Sequence, residues 1–108
     1  MTFQVVATPL AREMFLEIED RRVRQQISKR IKELATDPEK RGKPLGDELT
    51  GFHALRVSGQ RYRVVYGVDF KGKSVTVIGT GIRKQGDKGD IYERLKRLAR
   101  MGLLPSRR

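Results

Sequence analysis

The chain has 108 residues, with 24 Lys and Arg against 13 Asp and Glu, and a net charge of +11 with its single His neutral. A length near 100 residues fits one domain over 1–108, with one modest core that buries about 60–70% of the unfolded surface. The lack of Cys excludes disulfides, thiolate metal sites and a Cys nucleophile, and the lack of a basic apolar leader or an 18-residue apolar run predicts a cytoplasmic protein with no membrane segment.

Residues 3–7, Phe-Gln-Val-Val-Ala, read as a short strand ending at Thr8-Pro9, an N-cap followed by a favoured first helical residue. In the helix that follows, Leu10, Met14, Phe15 and Ile18 share one face, while Arg12, Glu13, Glu17 and Glu19 fall mainly on the other. Asp20 offers a second N-cap. Val23, Ile27, Ile31 and Leu34 then recur at helical spacing, with Arg24, Lys29, Arg30 and Lys32 turned outward, until Pro38 stops the run. The two amphipathic segments predict a helical hairpin. Residues 38–51 hold two Pro and three Gly and read as a loop long enough for a role beyond connection.

Three strand-like segments come next, His53 to Val57, Arg61 to Val68 and Ser74 to Thr80, separated by hairpin-length connections that carry Gly. Alternation in the middle one puts Tyr62, Val64, Tyr66 and Val68 on the face toward the helices, and Arg61, Arg63, Val65 and Gly67 on the other. After a polar turn at residues 84–89, Asp90 and Glu93 resemble a capping box for a last helix with Ile91, Leu95 and Leu98 inward, and Gly102 sits at the C′ position. The order β-α-α-β-β-β-α predicts an α+β domain: an N-terminal strand and two-helix hairpin packed on a mostly antiparallel four-stranded sheet, with a C-terminal helix.

Charge is unevenly spread: residues 1–50 carry +1 and residues 51–108 carry +10. Such an excess attracts polyanions, phosphate backbones foremost, although a solvated basic face or an acidic protein partner fits it too. One His excludes a two-histidine acid/base pair, and no spacing of His, Asp and Glu suits a metal site, so neither metal nor cofactor is expected. His53 reads first as a half-buried strand residue and second as an acid/base candidate. The Gly-rich segment around Gly79 and Gly81 fails the dinucleotide fingerprint, because its third Gly would fall at Lys84. What remains is a set of guanidinium groups at strand positions, Arg56, Arg61, Arg63 and Arg83, with the phenol of Tyr92 nearby. Such forks can hold one phosphodiester from several sides and offset the charge of a pentacovalent transition state.

The ordered set Gly51-Phe-His-Ala-Leu-Arg-Val57, Arg61-Tyr-Arg-Val-Val-Tyr66, Val77-Ile-Gly-Thr-Gly-Ile-Arg83 and Asp90-Ile-Tyr-Glu93 resembles the RelE/ParE superfamily of bacterial type II toxins, and most closely its RelE-like branch. The likeness runs from about residue 8 to residue 98 and takes in Gly42-Lys-Pro-Leu45. It implies metal-independent, ribosome-dependent cleavage of messenger RNA in the ribosomal A site, by attack of the 2′-OH on the adjacent phosphate. The family's strand arginine matches Arg63, its arginine after the last strand matches Arg83, and its C-terminal tyrosine matches Tyr92. Arg56 matches a second basic residue of the preceding strand. Arg61, His53, Lys84 and Lys88 are the further RNA-contact candidates.

Two departures stand out. The family's prototype has Lys where this chain has Ala54, and the segment from Lys84 to Gly89 lengthens the spacing between Arg83 and Tyr92. With Arg63 and Arg83 on the phosphorane and Arg56 on a phosphate, Tyr92 either stacks on a base or takes the proton, a role that requires a phenol's usual pKa of about 10 to be depressed by guanidinium charge. The resemblance also implies a cognate antitoxin in a hetero-oligomer. The competing readings are a ParE-like inhibitor of DNA gyrase and a degenerate RNA-binding relative that no longer cuts.

Overall fold

The computed structural model describes residues 2–59 and 61–105, and shows a five-stranded sheet in the order β1-β5-β4-β3-β2. Strand β1 (Gln4–Ala7) lies parallel to β5 (Ser74–Ile82), while β2 (Lys43–Pro44), β3 (His53–Val57), β4 (Tyr62–Asp69) and β5 pair antiparallel in turn. Helices α1 (Pro9–Glu17) and α2 (Arg21–Glu33) start at the expected caps. The Thr8 hydroxyl accepts from the Ala11 amide at 3.1 Å, and the Asp20 carboxylate accepts from the Arg22 and Val23 amides at 2.9 and 3.3 Å. Arg24 closes the corner between them by donating to the Ile18 and Glu19 carbonyls, which satisfies acceptors freed where α1 ends.

Two apolar clusters lie on opposite faces of the sheet. The first packs Ala11 of α1, Val23 and Ile27 of α2, and the residues that end the two helices, Ile18 and Leu34, against Leu55, Val57, Val64, Tyr66, Val75 and Val77. The second packs Leu49, Phe52, Ala54, Val65 and Ile78 under Ile91 and Leu95 of helix α4 (Ile91–Arg100). Helix α1 straddles the two, since Phe15 and Ile18 join the first cluster while Leu10 and Met14 join the second. The expected alternation in β4 holds: Tyr62, Val64, Tyr66 and Val68 belong to the α2 side and Val65 to the α4 side.

Two features depart from expectation. The stretch read as a loop carries a short helix α3 (Pro38–Arg41), strand β2 and a 3-10 turn (Asp47–Leu49), so the sheet has five strands and not four. Pro44 is tolerated because β2 is an edge strand with no ladder to complete on its outer side. Gly42 is required for the close approach, because a Cβ there would lie 2.6 Å from the Ala54 carbonyl oxygen and 2.7 Å from the Tyr66 hydroxyl.

The second departure is a β-bulge in β5. Tyr66 pairs with Val77 but Val65 pairs with Gly79, so Ile78 is the extra residue. Val75 and Val77 face α2, yet beyond the bulge a Cβ on Gly79 would touch Leu95 and Met14, and one on Gly81 would touch Ile91. The bulge thus inverts the side-chain parity of the strand's second half.

Helix α4 is capped at both ends. The buried Asp90 accepts from the Glu93 amide at 3.2 Å, and the amides of Leu103 and Gly102 return to the Leu98 and Ala99 carbonyls at 2.9 and 3.0 Å, with Gly102 at φ 69°. The reciprocal half of the capping box is not made, because the Asp90 amide donates to the Asp87 carbonyl.

Candidate functional site

Helix α4 covers only part of its face of the sheet. Beside it lies an open cleft of about 780 Å³, floored by Ala54, Arg56 and Arg63 and bounded by Arg83 and Tyr92. Register explains why the strand arginines meet: Arg56 is the cross-strand partner of Arg63, and Arg63 is the partner of Gly81. Without the bulge, Arg83 would share the parity of Val75 and Val77 and point toward α2. With it, Arg83 joins Arg56 and Arg63. Gly81, directly across from Arg63, leaves that row without a side chain of its own on β5.

Arg83 is held from three sides. Its Nη1 donates to Asp90 Oδ1 at 2.7 Å, its guanidinium lies 4.5 Å from the Tyr92 ring centroid, and its amide donates to the Arg61 carbonyl at 2.7 Å. Asp90 accepts the Lys84 amide as well, at 2.7 Å. Burial alone raises the pKa of Asp90, but the Arg83 guanidinium and the Lys84 and Glu93 amides outweigh it and hold the carboxyl below its ordinary value. One carboxylate therefore caps α4, pins the guanidinium and sets it over Tyr92. Arg63 is half-buried and its Nη1 donates to the Tyr62 carbonyl at 3.2 Å, whereas Arg56 is exposed.

Of the eight residues singled out in the sequence, Arg56, Arg63, Arg83 and Tyr92 line this cleft. The others do not. Arg61 is exposed just before β4. Lys84 pairs with Asp87 at 3.5 Å, and Lys88 is exposed with its carbonyl accepting from Arg97 at 3.1 Å. His53 lies on the opposite face, stacked on Tyr66 with ring centroids 5.6 Å apart, and its Nδ1 is buried without a hydrogen-bond partner. Desolvation lowers the His53 pKa, partly countered by Glu39.

Sequence reasoning missed four lining residues with polar or charged side chains: Arg30, Arg41, Lys43 and Gln85. Arg30 belongs to the polar face of α2, which nothing in the sequence assigns to a site. Arg41 and Lys43 sit in the stretch read as a loop. Lys43 is the cross-strand neighbour of Ala54, so an ammonium stands one strand away from the position where the resemblance expects a lysine. Among the described residues, no group of His, Cys, Asp and Glu is arranged to hold a metal ion, and no helix is long and apolar enough to cross a membrane.

No family model and no curated protein matches the chain. Solved structures do. The RelBE2 toxin–antitoxin complex of Mycobacterium tuberculosis aligns over 77% of this chain and 100% of that one, at 25% identity and a TM-score of 0.69. A mutant of the Escherichia coli toxin RelE in the free state aligns over 88% and 99%, at 20% identity and a TM-score of 0.66. A YoeB/ParE toxin from Agrobacterium tumefaciens aligns over 76% and 100%, at 21% identity and a TM-score of 0.64. Five strands in the order β1-β5-β4-β3-β2, with α2 on one face, the capped C-terminal helix on the other and α1 packed against both clusters, give this chain the fold of the RelE/ParE toxin superfamily.

Proposed function

We propose that the protein is the toxin of a type II toxin–antitoxin pair, and that it cleaves messenger RNA in the ribosomal A site without a metal of its own. The observation that carries this reading is the convergence of Arg56, Arg63, Arg83 and Tyr92 on one cleft from β3, β4, the residue after β5 and α4. In the reaction the 2′-hydroxyl gives up its proton to a base, Tyr92 or water, its oxygen forms a bond to the adjacent phosphorus, the bond from phosphorus to the 5′-oxygen breaks, the departing 5′-oxygen takes a proton from water, and a 2′,3′-cyclic phosphate remains. Arg63 and Arg83 stabilise the added negative charge of the phosphorane, and fixing Arg83 in advance through Asp90 spares its reorganisation at the moment of attack. Arg56 holds a neighbouring phosphate. Tyr92, ordered beneath Arg83, stacks on a base or accepts the 2′-proton. The acceptor of that proton is testable, because a loss of tenfold or less in Tyr92→Phe rejects the base role.

The partner is an antitoxin, as in the mycobacterial complex. Its acidic segments complement the cleft, the pair forms a hetero-oligomer, and the toxin acts in the cytoplasm where ribosomes are. Induced expression followed by mapping of transcript ends tests the reading: new ends within translated codons, carrying cyclic or 3′-phosphates, are expected, and intact transcripts reject it. A second reading, binding and inhibition of DNA gyrase on the same scaffold, draws on Ala54 and on the Arg83–Asp90 ion pair, which withholds part of the site's charge. Inhibited supercoiling with intact transcripts would establish that reading instead.

A further inference from the structure

The cleft is longer than one phosphodiester. Its cations stand on four adjacent strands: Arg83 just past the end of β5, Arg63 on β4, Arg56 on β3 and Lys43 on β2. At about 4.8 Å between neighbouring strands, the row spans roughly 14 Å. On the β2 side it widens further, because Arg30 of α2 and Arg41 of α3 also line the cleft. Among the described residues, no carboxylate lines it. Glu33 holds this second group from outside: its Oε1 lies 2.5 Å from Arg30 Nη1 and 4.0 Å from Arg41 Nη1. Arg41 Nε also donates to the Thr36 carbonyl at 2.7 Å. Three cations against one carboxylate leave a surplus charge, and two of them are pre-oriented.

We infer that Arg30, Arg41 and Lys43 form a second phosphate subsite, so that the cleft binds at least two consecutive phosphates of a single-stranded nucleic acid and selects a polynucleotide over a mononucleotide. This deepens the proposed function and rests on it. Arg56 lies between the two groups, and Arg30 and Arg56 also line an adjoining opening beside Lys29 and the turn at Ser58 and Gly59, where Glu33 is the one carboxylate against three cations. A strand seated on both subsites therefore has a cationic exit past α2.

The test measures binding of the full chain to two uncleavable 2′-O-methyl RNAs, a dinucleotide with one phosphate and a hexanucleotide, over a range of salt. Wild type is expected to hold the hexanucleotide at least tenfold more tightly. Arg30→Gln/Arg41→Gln/Lys43→Gln should erase that advantage and lower the salt slope by about 0.7 for each phosphate no longer neutralised, with a much smaller loss for the dinucleotide than for the hexanucleotide. Arg30→Gln/Lys43→Gln, which keeps the Arg41 anchor on Thr36, should erase most of it and guards against a folding defect. Arg63→Ala should weaken both ligands together. A triple variant that keeps the advantage and the slope overturns the second subsite while leaving the RNA reading intact, and so does one that loses only the acidic antitoxin. A wild-type chain that binds neither RNA overturns both.

Discussion

The two faces of the sheet are built from the same strands and put to different use. On the α2 side, Leu55, Val64, Val75 and Val77 meet Ile27 and Leu34, all at 1% exposure or less, and no charged group enters. On the α4 side the apolar cluster ends partway across: Val65 and Ile78 are sealed under Ile91 and Leu95, but the next row holds the exposed Arg56 and the half-buried Arg63. One face therefore stabilises the fold, and the other exposes part of the sheet to hold charge. A guanidinium is costly to bury, so such a row exists only where the covering helix stops short.

That contrast is broken most sharply by exchanging the type of damage. Leu55→Ala on the covered face should cost about 2–5 kcal/mol of stability, read as a shift in the urea midpoint, with cleavage per folded molecule unchanged. Arg63→Ala on the open face should lower the cleavage rate by about 10²–10³, the scale expected for one lost oxyanion donor, and leave the midpoint nearly where it was. If Arg63→Ala unfolds the protein, or if Leu55→Ala abolishes cleavage in the folded fraction, the division of labour between the faces is wrong.

Next in size is Asp90, which serves both purposes at once. Asp90→Asn keeps an N-cap acceptor but removes the charge that pins Arg83, and should cost about 2 kcal/mol, typical for hydrogen bonds to a charged group. The sign of the pH effect follows from the direction of the shift. The folded carboxyl sits below its unfolded value of 3.8, so its contribution is complete above that pH and fades as pH falls through the folded value. The variant should therefore lose the share of the acid limb that Asp90 contributes, while Glu17, Glu48 and Asp87, also held below their ordinary values, keep theirs. Freed of its carboxylate, Arg83 should bind RNA more tightly yet catalyse more slowly. A variant with unchanged kcat would reduce Asp90 to a helix cap.

Much of this architecture was legible because local chemistry and tertiary structure agree. Thr8-Pro9, Asp20 and Gly102 mark helix ends by hydrogen bonds made within a few residues, and the alternation of β4 declares both of its faces. The sequence hid what depends on neighbours distant in the chain. Lys43 and Pro44 are strand residues only because β3 lies alongside, and two residues cannot show a period. The bulge at Ile78 inverts parity without any change in composition. Gly79 and Gly81 were the available signal, because glycine inside a strand often marks a bulge or a closely approaching element. Arg56, Arg63 and Arg83 were found because cations on strands are rare enough to need a reason. Arg30 was not, because cations on a helix surface are ordinary.

The smallest expected effect sharpens the comparison from the covered side, where His53 is the single imidazole of the chain. Its Nδ1 is buried without a partner and its ring is stacked on Tyr66, whose hydroxyl donates to the Pro38 carbonyl at 2.7 Å and has a pKa pushed up to about 12 by burial. Protonating the imidazole places charge against an apolar face, and desolvation accordingly lowers its pKa in the folded state. The unfolded chain then binds the proton more readily. Stability is complete above the unfolded value of about 6.5 and declines as pH falls from there toward the folded value, before the carboxylates begin to titrate. His53→Gln should flatten that segment of the profile and leave cleavage unaltered, since the residue lies across the sheet from the cleft. A change in the pH dependence of cleavage would instead draw His53 into the reaction and undo the separation of the two faces.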